Sequence, residues 1–568
     1  MSDAVATTVP RTASRAGRDS SDDRRGGTAV RASFLRWGLT SYLVVVAVTT
    51  LATLLWLDGA WAYVLDDPAI HLSVADRLAH DGTWGVVAGR FESASSAPLW
   101  TVLLAGGVAL AAPVAHALPL ILNVAAGVAV LWLLAREQSV LRPGRDRPAD
   151  AAATILLVTV VLFLPGLALV GMEHTLHVAL VLAAVVAVDR WVHDRPGPGP
   201  AAVGALVVLA TLARFETAFV AVGLAAALLV VDRRAHRGRA ALVLAASGLT
   251  VVGFGVFNRA LGGDWLPNSV LAKGQAPSQA QSDGLGPVDT AGRLTHDPVL
   301  ALLVGVAVVY LVVWGRRGRA VVPAIVLVVA AALHAALADV GWYERYQAYL
   351  IAVGVYGLLH MLTELPPAVR RRAVVAVCLL AAVFGLSKIN LTVKAPLASD
   401  DMYRQQYQAG RFLDAYYDGE PVATDQLGYI SWFHRGPLTD FAGLGDRAVL
   451  ETRRGDEPRS EVWAGLAAER GFRVVVLYDT AAAFNVPGSW ILAGEWRLDG
   501  EPVTGVSDTL QFWATVPGEV EPLQDHLRDF ADDMPDRTRL HVNKGAPLQA
   551  YVQEVEQSEA TGGGGQVG

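Results

Sequence analysis

One cysteine, Cys378, stands among 568 residues, and it falls inside an apolar run. No intrachain disulfide can therefore brace any part of the chain, and thiol chemistry is excluded as an organising theme. Charge is scarce as well. Asp, Glu, Lys and Arg make up 17% of the residues, where soluble domains average about a quarter. With 53% hydrophobic residues and a mean hydropathy of +0.39, the chain reads as a polytopic membrane protein. A net charge of −7 leaves no broad basic field, so nucleic acid is not an expected partner. No internal repeat is strong enough to suggest a transporter's inverted halves.

What is present is a succession of apolar runs between short basic clusters. Residues 1–33 are Arg-rich and Ser/Thr-rich without apolar periodicity and are expected to be a disordered cytoplasmic tail. The run Trp37 to Trp56 has the length of an uncleaved first span, with Arg24, Arg25, Arg31 and Arg36 holding the tail inside. Further clusters, 233–239, 316–319 and 370–372, lie between apolar runs at 216–231, 240–257, 298–314, 321–338, 347–362 and 373–387. Placing all three inside puts 258–297, 340–346 and everything after about 389 outside.

The stretch 97–135 admits one long or two short spans around Pro113, His116 and Pro119. Two crossings would put the basic loop 136–147 outside, against the positive-inside rule; an interfacial or re-entrant segment near 70–112 would restore the parity. The expected count is about 11 to 13 spans. The expected fold is thus an α-helical polytopic domain over 34–388, followed by a small extracytoplasmic α/β domain over 389–555. In that domain 472–478 and 510–516 read as strands and 402–417 as a helix. The Gly-rich end, 556–568, is expected to be disordered.

Sorting ionisable groups by face gathers an unusual set at the outer ends of the spans. Asp66-Asp67-Pro68 follows the first span. It could be a plain stop signal, yet two adjacent carboxylates at a low-dielectric boundary raise each other's pKa toward that of a useful base. Around it come His71, Glu92, Glu173, His174, Arg214, Glu216, Asn268, Lys273, Glu344, Arg345 and Tyr346. Each has a bland reading. Glu173-His174 suits a helix start, Arg214 and Glu216 could be a surface ion pair contributing about 0–1 kcal/mol, and Trp342 to Tyr346 could be an aromatic belt. The functional readings make Arg214, Lys273 and Arg345 phosphate ligands, and the aromatics a stacking face for a sugar.

The order of these blocks carries a resemblance. Asp66-Asp67-Pro68, then Phe91-Glu-Ser-Ala-Ser-Ser-Ala-Pro-Leu-Trp100, Gly171-Met-Glu-His174, Arg214-Phe-Glu216, Asn268-Ser-Val-Leu-Ala-Lys-Gly274, Glu344-Arg-Tyr346 and Thr424-Asp-Gln-Leu-Gly428 resemble GT-C glycosyltransferases. The nearest likeness is to bacterial relatives of mycobacterial terminal arabinofuranosyltransferases. Pro-Ala follows the acidic pair where that group has Ala-Tyr or a similar pair. The resemblance implies a multi-pass plasma-membrane enzyme that moves a sugar, arabinofuranose by the nearest likeness, from a polyprenyl-phosphate donor to a cell-envelope glycan or lipid acceptor, with inversion.

On that reading Asp66 or Asp67 is the base, with Asp66 preferred. Arg214, Lys273 and Arg345 face the donor phosphate. His71, Glu92, Glu173, His174, Glu216, Asn268, Glu344 and Tyr346 line the substrates. Glu92 and Glu173 could also hold a divalent cation, although no compact ligand motif is present; no cofactor is otherwise implied. A flippase would need ionisable groups along the span interiors, which are mostly Ala, Val, Leu and Gly. A polymerase or ligase of lipid-linked glycans would take a pyrophosphate donor instead.

Overall fold

The computed structural model describes residues 16–137, 148–273, 292–452 and 458–543. The Gly-rich end and residues 1–15 of the basic tail lie outside the described residues. Among the described residues five helices are long and apolar enough to cross a membrane: Ala32–Trp56, Ala112–Glu137, Pro148–Val170, His174–Val192 and Thr217–Ala260. The pair Pro367–Phe384 and Leu386–Tyr417, bent by 48°, makes a sixth. Shorter apolar helices are Pro98–Leu110, Pro200–Ala213, Pro298–Trp314, Val321–Leu337 and Ala348–Glu364. Several start on proline, whose missing N–H is harmless in a first turn. Before Pro298, Asp297 accepts the N–H groups of Val299 and Leu300, an N-cap that opens the run.

In lipid the apolar surface of a helix gains little from burial, so close packing at small residues has to hold a bundle together. The helix Val321–Leu337 sits in its centre. At Gly223 a Cβ would come within 2.9 Å of the Val326 backbone, so the limb 217–231 packs there only because it carries glycine. At Asp232 (φ −153°, ψ 99°) the helix Thr217–Ala260 breaks into two limbs.

Contacts identify two ends of the bundle. At one end Tyr356 donates to Asp189, Glu137 pairs with Arg190, and Tyr310 donates to Glu364. At the other lie Asp67, Glu173, Arg214 and Arg345, together with the C-terminal domain. The stretch 97–135 forms two helices joined by the 3-10 turn Ala112–Ala117. Both ends of Pro98–Leu110 are at the domain end: Ser95 bonds His71 before it, and Tyr63 donates to the His116 carbonyl after it. This helix therefore does not cross, and Val102, Leu103 and Leu110 remain exposed on it.

The C-terminal domain is built on a six-stranded mixed sheet. Its strands are β1 Val422–Thr424, β2 Leu438–Asp440, β3 Val474–Tyr478, β4 Ile491–Leu498, β5 Thr509–Ala514 and β6 Thr538–Val542, in the order β2-β1-β3-β5-β4-β6. The first three are parallel and the rest antiparallel. Phe412, Trp496, Phe512 and Phe530 fill one face, and the same core takes in Ile70, Val74, Trp84 and Val86 from the segment after the first span. Domain and bundle thus share a core.

Two boundaries differ from the sequence reading. The first helix begins at Ala16, so 16–33 continues the helix of the span instead of forming a coil; helix propagation adds one bond per residue once the span has nucleated it. At the other junction the chain bends at Gly385, close to the expected boundary, but the helix after the bend does not end there. Leu386–Met402 runs on through Tyr403–Tyr407 to Gln408–Tyr417, so one helix leads from the bend into the sheet domain.

Candidate active site

Pro68 lies in the first turn of the helix Asp67–Asp81, so the acidic pair starts a helix as well as ending a span. Asp66 turns toward the C-terminal domain. Its Oδ2 accepts the N–H of Gly428 at 2.7 Å and its Oδ1 that of Tyr429 at 2.8 Å. It thereby caps the helix Leu427–Phe433, whose own Gln426 makes no side-chain cap. Charge-assisted bonds of this kind favour the carboxylate, but burial outweighs them and pushes the Asp66 pKa up to about 6, with Asp67 and Asp440 adding to the rise. Each oxygen keeps a further lone pair, so a group held in place can still accept a proton.

Gly428 explains part of the Thr424 to Gly428 block. A Cβ there would overlap the Asp66 carboxylate and its carbonyl. Gly428→Ala is expected to displace Asp66, lowering stability by roughly 1–3 kcal/mol through the lost bonds to a charged acceptor and activity by about tenfold or more. Thermal unfolding and transfer rate of the purified variant check both.

Asp67 faces away from Asp66, with its side chain 34% exposed, and pairs with Arg345. Arg345 is only 3% exposed. Its Nη2 donates to Asp67 and to the Tyr346 hydroxyl at 3.3 Å, and the guanidinium lies 5.1 Å from the Tyr346 ring centre. Its Nε and Nη1 have no partner among the described residues. Buried donors of a charged group are expensive to leave unsatisfied. The turn before Arg345 is unusual too: Gly341, Trp342, Tyr343 and Glu344 have φ of 79°, 44°, 62° and 59°. Three consecutive left-handed non-glycine residues cost on the order of 1–2 kcal/mol each, and surroundings must impose them.

Arg214 is placed differently from the expectation of a phosphate ligand. It pairs with Glu173 and Glu216, its Nε donates to Glu216 at 3.2 Å, and its Nη1 lies 3.0 Å from His174 Nε2. Burial opposes the ionised form of Glu216, but Arg214 overcomes this and holds the Glu216 pKa down at about 2. Arg214 has thus spent its donors on carboxylates. It also lies over the Tyr346 ring at 5.6 Å, and the His174 ring is 5.9 Å from Tyr346. His71 approaches Glu173 at 3.7 Å and Ser95 at 3.2 Å; burial lowers its pKa, against Glu173 and Asp67. Asp67, His71, Glu173, His174, Arg214, Glu216, Arg345 and Tyr346 therefore form one continuous cluster.

Other expected site residues lie elsewhere. Glu92 accepts from Asn268 at 2.9 Å and from the Arg447 backbone at 3.1 Å, and the Asn268 N–H donates to the Ser93 carbonyl. Glu92 fastens its loop to the C-terminal domain through Arg447, and Asn268 fastens its own helix to that loop. Glu92 and Glu173 belong to separate clusters and share no cation site. Among the described residues no group of three His, Cys, Asp or Glu is arranged to hold a metal. Lys273 ends the helix Asn268–Lys273, and its side chain lies outside the described residues. Glu344 turns from Arg345 toward Gln347, which donates to it at 2.8 Å, and burial pushes its pKa up to about 7.

The sequence reading passed over Lys388, Asp297 and Gln347, which lock together behind Arg345. Asp297-Pro298 before an apolar run and a Lys directly after the last one were the available signals.

The family model described as a domain of unknown function, DUF8728, matches residues 397–514. No curated protein matches the chain. Among solved structures, ArnT from Cupriavidus metallidurans in the apo state is 13% identical with a TM-score of 0.49, over 84% of this chain and 97% of that one. The same protein bound to undecaprenyl phosphate gives 12% and 0.48, over 84% and 98%. The oligosaccharyltransferase of Archaeoglobus fulgidus tethered to an acceptor peptide gives 15% and 0.45, over 88% and 75%.

Proposed function

We propose that the chain is a membrane glycosyltransferase of the GT-C type that moves a sugar from a polyprenyl-phosphate donor to an extracytoplasmic cell-envelope glycan or lipid. The observation that carries this reading is Arg345, a buried guanidinium whose Nε and Nη1 have no partner among the described residues, beside a half-buried carboxylate, at the bundle end that the C-terminal domain covers. A lipid-linked phosphate arrives at that level. Arg345 is the cation of the cluster with donors to spare, which suits one phosphate better than a pyrophosphate. The ordered sequence blocks favour arabinofuranose among the donor sugars.

In the transfer step an acceptor hydroxyl oxygen forms a bond to the anomeric carbon while the bond from that carbon to the phosphate oxygen breaks. Asp66 takes the hydroxyl proton, and the electron pair leaves on the polyprenyl phosphate, whose charge Arg345 meets. Asp67 balances Arg345 while the site is empty. Glu173, Arg214 and Glu216, with His174, form a rigid wall behind Tyr346.

The topology follows the same reading. The long helices, with Thr217–Ala260 broken into two limbs, the bent pair, and the shorter helices other than Pro98–Leu110 give eleven apolar segments among the described residues that alternate between the two ends. With the basic clusters inside, the N-terminus is cytoplasmic and the C-terminal domain extracytoplasmic.

Transfer by the purified protein in lipid, from labelled polyprenyl-phosphate sugars across a pH series, tests this function. The rate is expected to fall tenfold per pH unit below about 6, where Asp66 becomes protonated. The Asp66 contribution to folding runs the other way: its raised pKa makes that contribution greatest below 3.8 and loses it as pH rises to about 6. Absence of product from every donor at every pH would contradict the reading.

A further inference from the structure

Behind the left-handed turn a buried ion pair joins three elements. Lys388, on the helix Leu386–Met402 just past the bend, donates to Asp297 Oδ2 at 2.9 Å, and both side chains are almost fully buried. Asp297 uses its other oxygen to cap the helix Pro298–Trp314. Gln347 Nε2 reaches Asp297 Oδ2 at 3.4 Å and Glu344 Oε2 at 2.8 Å, and Gln347 Oε1 accepts the N–H of Gly341 at 3.1 Å. A fourth tie comes from Tyr343, whose hydroxyl donates to the Leu391 carbonyl at 2.9 Å, one turn beyond Lys388. The residues on either side of Arg345 are thus tied to one buried charge pair, Gly341 and Glu344 through Gln347, and Tyr343 to the helix that carries Lys388.

We propose that Lys388 is a positioning residue for the donor phosphate: through Asp297 and Gln347 it imposes the left-handed turn that presents the Arg345 guanidinium. The inference rests on the reading of Arg345 as the phosphate ligand. A lysine with only a packing role needs no such chain of bonds. A buried charge is expensive, and this one is directed at the loop that carries three consecutive left-handed non-glycine residues. Without the network the turn relaxes toward ordinary φ values, since nothing local in Trp342-Tyr343-Glu344 favours the left-handed region. Arg345 then loses its fixed approach to Asp67 and to a phosphate, while Asp66, held from the C-terminal domain, keeps its place.

The test is equilibrium binding of decaprenyl monophosphate to the full chain in detergent. Lys388→Met combined with Asp297→Asn removes the charges as a pair while leaving an Asn able to cap the helix. Gln347→Met cuts the network without touching the ion pair. Both are expected to weaken binding about tenfold, and Lys388→Arg to restore it to within about threefold. In transfer assays the donor KM rises with them while the acceptor KM stays unchanged, a split that general loosening would not give. Binding that is lost in Arg345→Met yet unchanged in both the paired variant and Gln347→Met overturns the positioning role and leaves the function intact. Binding that depends on Lys388 in a protein that transfers no sugar keeps the positioning role and overturns the function.

Discussion

Replacing Asp66 by Asn is expected to reduce sugar transfer by about a hundredfold or more, since a positioned general base contributes roughly 10²–10⁴-fold. The amide has no proton affinity at the pH of interest. It can also match only one of the two N–H donors that Asp66 now receives from Gly428 and Tyr429. Some of the loss could therefore come from a loosened C-terminal domain. Two controls separate these causes. Donor binding should survive in Asp66→Asn, because Arg345 is held by a different set of contacts, and a small loss of thermal stability should accompany it. Asp67→Asn should behave oppositely, weakening donor binding while the acid limb of the pH profile stays where Asp66 sets it. Full transfer by a folded Asp66→Asn protein would remove Asp66 as the base.

Arg345 gives the second large effect. Each hydrogen bond between a charged donor and a phosphate oxygen is worth about 1.5–3 kcal/mol, so Arg345→Met is expected to weaken polyprenyl-phosphate binding at least tenfold and, with two bonds lost, by a hundredfold or more. Arg345→Lys should recover only a fraction of this. An ammonium is a point charge on a flexible stem, whereas the guanidinium is a planar fork that Asp67 and Tyr346 already orient. Arg214→Met forms the useful contrast. Because Arg214 binds Glu173 and Glu216, its loss should appear first in stability, as an unpaired buried carboxylate pair, and only secondarily in donor affinity.

The membrane segments from 216 onward were legible because long apolar runs bounded by basic clusters leave few alternatives, although the helices take in the basic clusters 233–239 and 370–372 that were expected to separate them. Strands β3 and β5 were legible for a similar reason, as compact apolar stretches. The segment Pro98–Leu110 was not, since an interfacial helix and a crossing helix have the same composition; only the contacts of Ser95 and His116 place both of its ends on one side. Within the site, sorting charges by outer face identified Asp67, Glu173, Arg214 and Arg345 correctly as neighbours of one end. It could not distinguish the Arg345 cluster from the Glu92–Asn268 cluster, because that division depends on where the sheet domain docks. Nor could it show that Asp66 and Gly428 meet, 362 residues apart in sequence.

The measurement that bears most directly on the account is the stoichiometry of transfer. Purified protein in lipid vesicles is supplied with a labelled polyprenyl-monophosphate sugar and a cell-envelope glycan acceptor, and released polyprenyl phosphate is counted against glycosylated product. The account predicts one for one, with both products falling together by about a hundredfold or more in Asp66→Asn and no turnover of a pyrophosphate-linked donor. Labelled donor that crosses the bilayer unchanged, with no lipid phosphate released, would contradict it and identify a transporter.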